Sequence, residues 1–333
     1  MMLGHQFEQE IREQPAVWRG IASSDRAERL AHAIRGRDVV LLGSGSSLFM
    51  AQLGALAFRR RGLRAHALAA TEAPLDNAAY RNAVVIACSQ SGRSRDLLAA
   101  LDILVPRELI AVTNTPQSPL AERAQITIDL GAGVERAVPA SKSVTATAAI
   151  FLWAAGQLAS STHIRNAQTL RETADMVQSW LESANVDDVR IAAQRLALRR
   201  SIIVAGTGYG TPVANEFALK IKEASYIHAE GFSAGEFRHG SAAMLDPGCA
   251  IIGIVDDASR EIVARPMTEA KAAESARYVV GAALADIPVL GPLTGDAFNP
   301  LAWLITAQLL ALFAGRARGI ESDAPRGLSK AIT

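Results

Sequence analysis

The feature that most constrains this chain is an internal duplication. VVLLGSGSSLFMAQLGALAFRR begins at Val39, and IIVAGTGYGTPVANEFALKIKE begins at Ile202. Laid over each other without gaps at a shift of 163 residues, they place Gly43 on Gly206, Gly45 on Gly208 and Ala51 on Ala214. So long a period excludes a solenoid of short repeats and reads as two copies of one domain. Each copy runs from an aliphatic stretch through a Gly-rich turn into a helical pattern.

Strands are expected at about 39–43, 65–69, 83–88, 108–113 and 126–129 in the first copy, and at 201–205, 250–255, 278–282 and 286–290 in the second. A long helical stretch is expected from about 141 to 159. Strands alternating with helices imply parallel sheets covered on both faces, and the unbroken apolar runs VVIACS and AIIGIV fit that burial. The expected fold class is α/β: two tandem doubly wound parallel-sheet domains, each three-layered α/β/α and flavodoxin-like. The expected boundaries are a helical lead-in at 1–36, a first domain at 37–163, a helical connector at 164–198, a second domain at 199–318 and a tail at 319–333.

Half of the residues are hydrophobic, a fifth are charged and the net charge is +1. That balance is globular, and with no basic or acidic run it gives no bulk-charge reason to bind nucleic acid or a membrane surface. MMLGHQFEQEIREQP lacks the apolar core of a signal peptide. AWLITAQLLALFAG, 14 residues from Ala302, is too short to span a bilayer and reads as a buried helix. Cys88 and Cys249 both lie in apolar runs, which implies buried free thiols in a reducing cytoplasm. His228 and Glu230 lack a third ligand at suitable spacing, so no metal is expected.

Two loops of the first copy are rich in hydroxyls: Gly43-Ser44-Gly45-Ser46-Ser47 and Ser89-Gln90-Ser91-Gly92-Arg93-Ser94. Each follows a strand and precedes a helix, where backbone N–H groups and the helix dipole favour an anion. Either loop alone could be ordinary helix capping. Together, at the carboxyl ends of neighbouring strands, they form a plausible phosphate cradle. In the second copy, Asp256 and Asp257 stand where the serine loop would be, and carboxylates repel phosphate.

These segments resemble the SIS (sugar isomerase) family, in particular the isomerase portion of glucosamine-6-phosphate synthases and their stand-alone relatives. GSSLFMA is similar to the family's first phosphate loop, SQSGRS to its SQSGET loop, and ERAVPASKSVTAT to the segment closing the sugar pocket. ALKIKEASYIHAEGFSAGEFRHG resembles the catalytic stretch, ESDAPRGLSKAIT the C-terminal tail, and EIREQP the lead-in. The resemblance implies phosphate contacts at Ser46, Ser47, Ser89, Gln90, Ser91 and Ser94, with Val138 and Ala140 lining the pocket. It implies that Glu223 moves a proton between C1 and C2 and that Lys220 sits beside the sugar. It also implies that His239 opens the ring from a neighbouring subunit, and that Lys330 forms an imine with the open-chain ketose.

The chain departs from the family at Arg93, where SQSGET has Glu, and at Ala140, which replaces a serine. No glutaminase segment precedes the isomerase-like part of this sequence. The expected function is therefore an amino-sugar phosphate deaminase/isomerase, converting glucosamine 6-phosphate and water to fructose 6-phosphate and ammonia. The expected enzyme is a cytoplasmic homodimer with shared sites, without cofactor, nucleic-acid partner or membrane. A galactosamine-6-phosphate deaminase/isomerase and a fructosamine-6-phosphate deglycase are the nearest alternatives. A sugar-phosphate sensor module is the alternative of another class, though it would call for a basic recognition segment.

Overall fold

Ten strands, twelve α-helices and two short 3-10 helices form among the described residues of the computed structural model, which covers 2–330 except 105, 160–162 and 296. Of the tail expected at 319–333, residues 331–333 lie outside the described residues. The order is α1 (His5–Ile21), α2 (Arg26–Ile34), β1 (Val39–Gly43), α3 (Ser46–Arg59), β2 (Ala65–Ala69), β3 (Val84–Cys88), α4 (Arg95–Ile103), β4 (Glu108–Thr113), α5 (Pro119–Arg123), β5 (Ile126–Asp129) and α6 (Lys142–Ala159). Then follow α7 (His163–Glu182), α8 (Val186–Leu196), β6 (Ser201–Gly206), α9 (Gly210–Ser225), β7 (His228–Ser233), α10 (Ala234–Phe237), β8 (Cys249–Val255), α11 (Arg260–Ala272), β9 (Ala276–Gly281), β10 (Val289–Leu290) and α12 (Asn299–Ala317).

The strands make two five-stranded sheets, ordered β2-β1-β3-β4-β5 and β10-β9-β8-β6-β7. Every pairing is parallel. Read from the other edge, the second sheet has the order of the first, so the expected pair of doubly wound α/β sheets is what forms. The chain divides into two compact units, neither continuous in sequence. The first-sheet unit comprises Gln14–Glu135, Lys142–Ala174 and Ser329–Thr333; the second-sheet unit comprises Met1–Glu13, Arg136–Ser141 and Asp175–Leu328.

In the first-sheet unit, β1 and β3 are buried at every position, as an unbroken aliphatic run on a doubly covered strand must be. One face packs Val40, Leu42, Val85 and Leu109 against Leu97, Leu104 and Leu120. Between α3 and α6, Phe58 meets Phe151 edge to face at 5.8 Å. A Cβ on Gly54 would lie 2.5 Å from the Phe151 ring, so this glycine lets the two helices close. Trp18 donates its indole N–H to Thr145, whose hydroxyl donates to Gln14, satisfying three buried polar groups.

In the second-sheet unit, Ile203, Ala205, Ile251, Val255 and Val279 pack against Val263, Met267 and Phe237. α12 contains the stretch from Ala302 read as a buried helix, and nearly all of it is buried. It is the one described helix long and apolar enough to cross a membrane, and its burial marks it as a core helix. Cys88 and Cys249 are both free and buried.

The sequence reading missed β7. HAEGFS has no apolar run because β7 is an edge strand paired only with β6; His228 and Glu230 are exposed while Ala229 between them is buried. β9 starts two residues earlier than expected, and β10 shrinks to two residues.

The duplication has a physical counterpart in one close approach, repeated. A Cβ on Gly43 would stand 2.6 Å from the backbone carbon of Ser47, and one on Gly206 would stand 2.5 Å from that of Gly210. Each contact lies four residues on, where the following helix begins. Gly206→Ala should therefore lower stability by about 1–3 kcal/mol. Urea unfolding checks this, and an unchanged midpoint would show that the turn tolerates a side chain.

Candidate active site

The first-sheet unit carries the hydroxyl loops on adjacent strands. β1 ends at Gly43 and β3 at Cys88, and the strand order turns there, with β2 on one side and β3 on the other. That reversal is where open α/β sheets bind ligands. After β1, Gly45 takes a positive φ of 54° and α3 starts on Ser46 and Ser47, both half-buried. After β3, Ser89 is buried and its Oγ accepts the Gly92 N–H at 3.1 Å, while Ser91 Oγ accepts the Arg93 N–H at 3.2 Å. Gly92 also has a positive φ, and a Cβ there would overlap Ser118. The Gln90 carbonyl accepts from Thr113 Oγ1 at 3.2 Å and from the Asn114 N–H at 3.0 Å, which pins the loop to the end of β4.

Ser94 stands at the N-terminus of α4 without a capping bond from its side chain. Burial pushes the Cys88 thiol up to about 12, so at neutral pH it is a protonated wall of the loop and no nucleophile. Arg93 is exposed. The six expected phosphate contacts thus sit on two loops at the carboxyl ends of neighbouring strands of one unit.

The corresponding turn of the second-sheet unit does something else. After β8, the Ser259 N–H donates to Asp256 Oδ1 and the Asp256 N–H donates to Ser259 Oγ, both at 2.8 Å. Asp257 pairs with Arg260 at 2.9 Å. Both carboxylates are thus engaged within the turn leading into α11.

The second-sheet unit carries a buried charged cluster on α9, at the residues expected to do acid–base work. Lys220 is 1% exposed, and its ammonium pairs with both Glu216, at 3.5 Å, and Glu223. Glu216 is fully buried, whereas the Glu223 side chain keeps 18% of its surface. The three lie at i, i+4 and i+7 on one face of the helix, the spacing that brings side chains into line. A buried ammonium flanked by carboxylates is held in place, and the outer carboxylate is the one able to reach a ligand. The sequence reading found Lys220 and Glu223 but missed Glu216. Its signal was a charged stripe on a helix whose other positions, Val213, Phe217, Ile221 and Ala224, are all buried and apolar.

His239 follows α10 in an exposed turn, and no contact joins it to Glu223 or Lys220 among the described residues. Val138 and Ala140 are half-buried in the loop ahead of α6, where the Val138 N–H donates to the Asp323 carbonyl at 2.9 Å. Lys330 belongs to the first-sheet unit, and its ammonium donates to Glu135 at 3.1 Å. No cluster of His, Cys, Asp and Glu fit to hold a metal occurs among the described residues.

The comparisons bear on the fold and the family. A glutamine–fructose-6-phosphate aminotransferase (isomerizing) of Sulfolobus acidocaldarius is 29% identical over 301 residues, covering 89% of this chain and 50% of that protein. The chain thus spans about half the length of the curated relatives it matches. The C-terminal domain of glucosamine-fructose-6-phosphate aminotransferase from Francisella tularensis has the same fold, with a TM-score of 0.85, 23% identity and coverage of 96% of this chain and 98% of that one. A glucosamine-6-phosphate deaminase from Thermotoga maritima also shares the fold, with a TM-score of 0.79, 21% identity and coverage of 98% and 99%. The SIS domain model matches residues 34–155 and 195–278, and with both sheets of its fold in place this chain belongs to the SIS domain family of phosphosugar isomerase-type proteins.

Proposed function

We propose that this protein is an amino-sugar phosphate deaminase, converting glucosamine 6-phosphate and water to fructose 6-phosphate and ammonia. The observation that carries the proposal is the buried Lys220 ammonium with Glu223 at its open side, on a chain that also presents two hydroxyl loops at a sheet's switch point. The serine loops take the phosphate through backbone N–H groups and hydroxyls. His239 opens the ring. Glu223 removes the proton from C2 and returns it to C1, turning the amine into an imine at C2. Water then adds to that imine, releasing ammonia and leaving the ketose. Lys220 steadies Glu223 in both protonation states, and Lys330 holds the open-chain ketose as an imine in part of the cycle.

A glucosamine-6-phosphate deaminase of Thermotoga maritima shares this fold over nearly its whole length, so the fold accommodates deamination. The working form is proposed to be a homodimer, in which the exposed His239 serves the partner copy. Symmetric dimers are the commonest assembly. We place the enzyme in the cytoplasm, where free thiols such as Cys88 and Cys249 persist.

Replacing both Ser89 and Ser91 with Ala should raise KM for the phosphosugar by at least about tenfold, since hydrogen bonds to a charged group are worth about 1.5–3 kcal/mol each. Steady-state kinetics measures this, and equal activity of the parent on unphosphorylated glucosamine would remove the phosphate site. Mixing His239→Ala with Glu223→Gln protein should restore activity that neither variant has alone. A fully active monomer in sedimentation would end the shared-site proposal. Glu223→Gln keeps shape and hydrogen bonding but cannot accept a proton, so kcat should fall by about 10²–10⁴ with KM nearly constant. Exchange of the C2 hydrogen with solvent should vanish with it. Exchange that persists while ammonia release stops would give the base role to another group.

A further inference from the structure

Glu135 is a residue that neither the duplication nor the proposed chemistry calls for, yet its side chain is the most deliberately placed carboxylate of the first-sheet unit. It is fully buried, two residues beyond the exposed Gly133 and seven before α6. Its Oε1 accepts the Ser143 N–H at 3.1 Å and its Oε2 accepts the Ser143 hydroxyl at 2.7 Å. Those donors lie in the first turn of an 18-residue helix, whose positive end favours a carboxylate. Next to it, the buried Lys142 donates from Nζ to the Val134 carbonyl at 2.7 Å, which fixes the backbone immediately before Glu135. The carboxylate is therefore oriented by its own helix and loop.

Onto that carboxylate comes Lys330, 195 residues away in sequence, with its Nζ 3.1 Å from Oε2 and its side chain 25% exposed. A buried carboxylate is costly unless matched by positive charge, and Lys330 brings that charge to a preformed anion. We propose that Glu135 is the positioning residue of Lys330: it seats the lysine on the first-sheet unit and fixes where the amine waits before it meets a ketose carbonyl. The anchoring half of this proposal stands on the contact alone. The catalytic half rests on the imine role proposed for Lys330.

Trace acetylation of the intact protein, read residue by residue by mass spectrometry, separates the two. The other four lysines provide the controls: Lys222 and Lys271 are exposed, while Lys142 and Lys220 are buried. In the parent, Lys330 should acetylate about tenfold more slowly than Lys222 and Lys271, as a retained ion pair of about 1.4 kcal/mol requires. Glu135→Gln should erase that difference while Lys220 stays protected, and Glu135→Asp should restore part of it. A parent Lys330 as reactive as Lys222 overturns the anchor without any variant, as does equal Lys330 reactivity in the parent and in folded Glu135→Gln. Borohydride reduction in the presence of fructose 6-phosphate then tests the catalytic half. The parent should carry the sugar adduct on Lys330, and Glu135→Gln should carry about tenfold less. Slow acetylation without any adduct in the parent sinks the imine role and leaves the anchor standing. An undiminished adduct in Glu135→Gln overturns the positioning role.

Discussion

A lysine ammonium buried to 1% of its surface cannot stand alone, and much of this molecule's chemistry follows from how Lys220 is matched. Removing an ion of that size from water costs several kcal/mol even after relaxation, so opposite charge must be supplied from within the fold. α9 supplies it from its own face, with Glu216 sealed inside and Glu223 at the rim. The geometry is asymmetric in a useful way. The inner carboxylate makes the lysine tolerable, and the lysine in turn holds the outer carboxylate where a ligand can meet it. The helix packs against α12, a largely apolar helix that is itself nearly all buried.

The two sheets show how one topology can be divided between two tasks. Both have the same strand order, and both make the same glycine-dependent close approach after their first strand. What differs is the turn after the third strand. In the first-sheet unit it is Ser-Gln-Ser-Gly, rich in hydroxyls and with its backbone pinned from β4. In the second-sheet unit it is Asp256-Asp257, whose carboxylates bond the Ser259 N–H and pair with Arg260. The hydroxyl-rich loop is thereby kept to one copy, and the other copy carries buried charge on its own helix, α9.

Much of this was legible in the sequence because the first sheet is covered on both faces. Its inner strands β1 and β3 are apolar runs, buried throughout, and the expected strand ends agree with the observed ones to within a residue. β7 was not legible, since an edge strand with one pairing partner alternates exposed His228 and Glu230 with buried Ala229 and so resembles a loop. The site was legible where it is local: the serine loops sit between a strand and a helix, and Glu223 and Lys220 share one turn. Glu216 was overlooked although its i, i+4 spacing from Lys220 was in plain view, because a charged stripe on a helix is ordinarily a solvated face. Glu135 could not be found by any local rule. Its meaning comes from Lys330, and only the fold brings residues 195 apart into one ion pair.

The central claim is that an acid–base carboxylate steadied by a buried lysine acts on an amino sugar that is held by its phosphate. The measurement that meets it most directly is ammonia release by the purified protein from a panel of hexosamine 6-phosphates and their unphosphorylated counterparts, with the ketose product quantified in parallel. The account predicts ammonia and fructose 6-phosphate in equal amounts from glucosamine 6-phosphate and neither from free glucosamine. Absence of ammonia from every phosphorylated hexosamine, or release that ignores the phosphate, would contradict it.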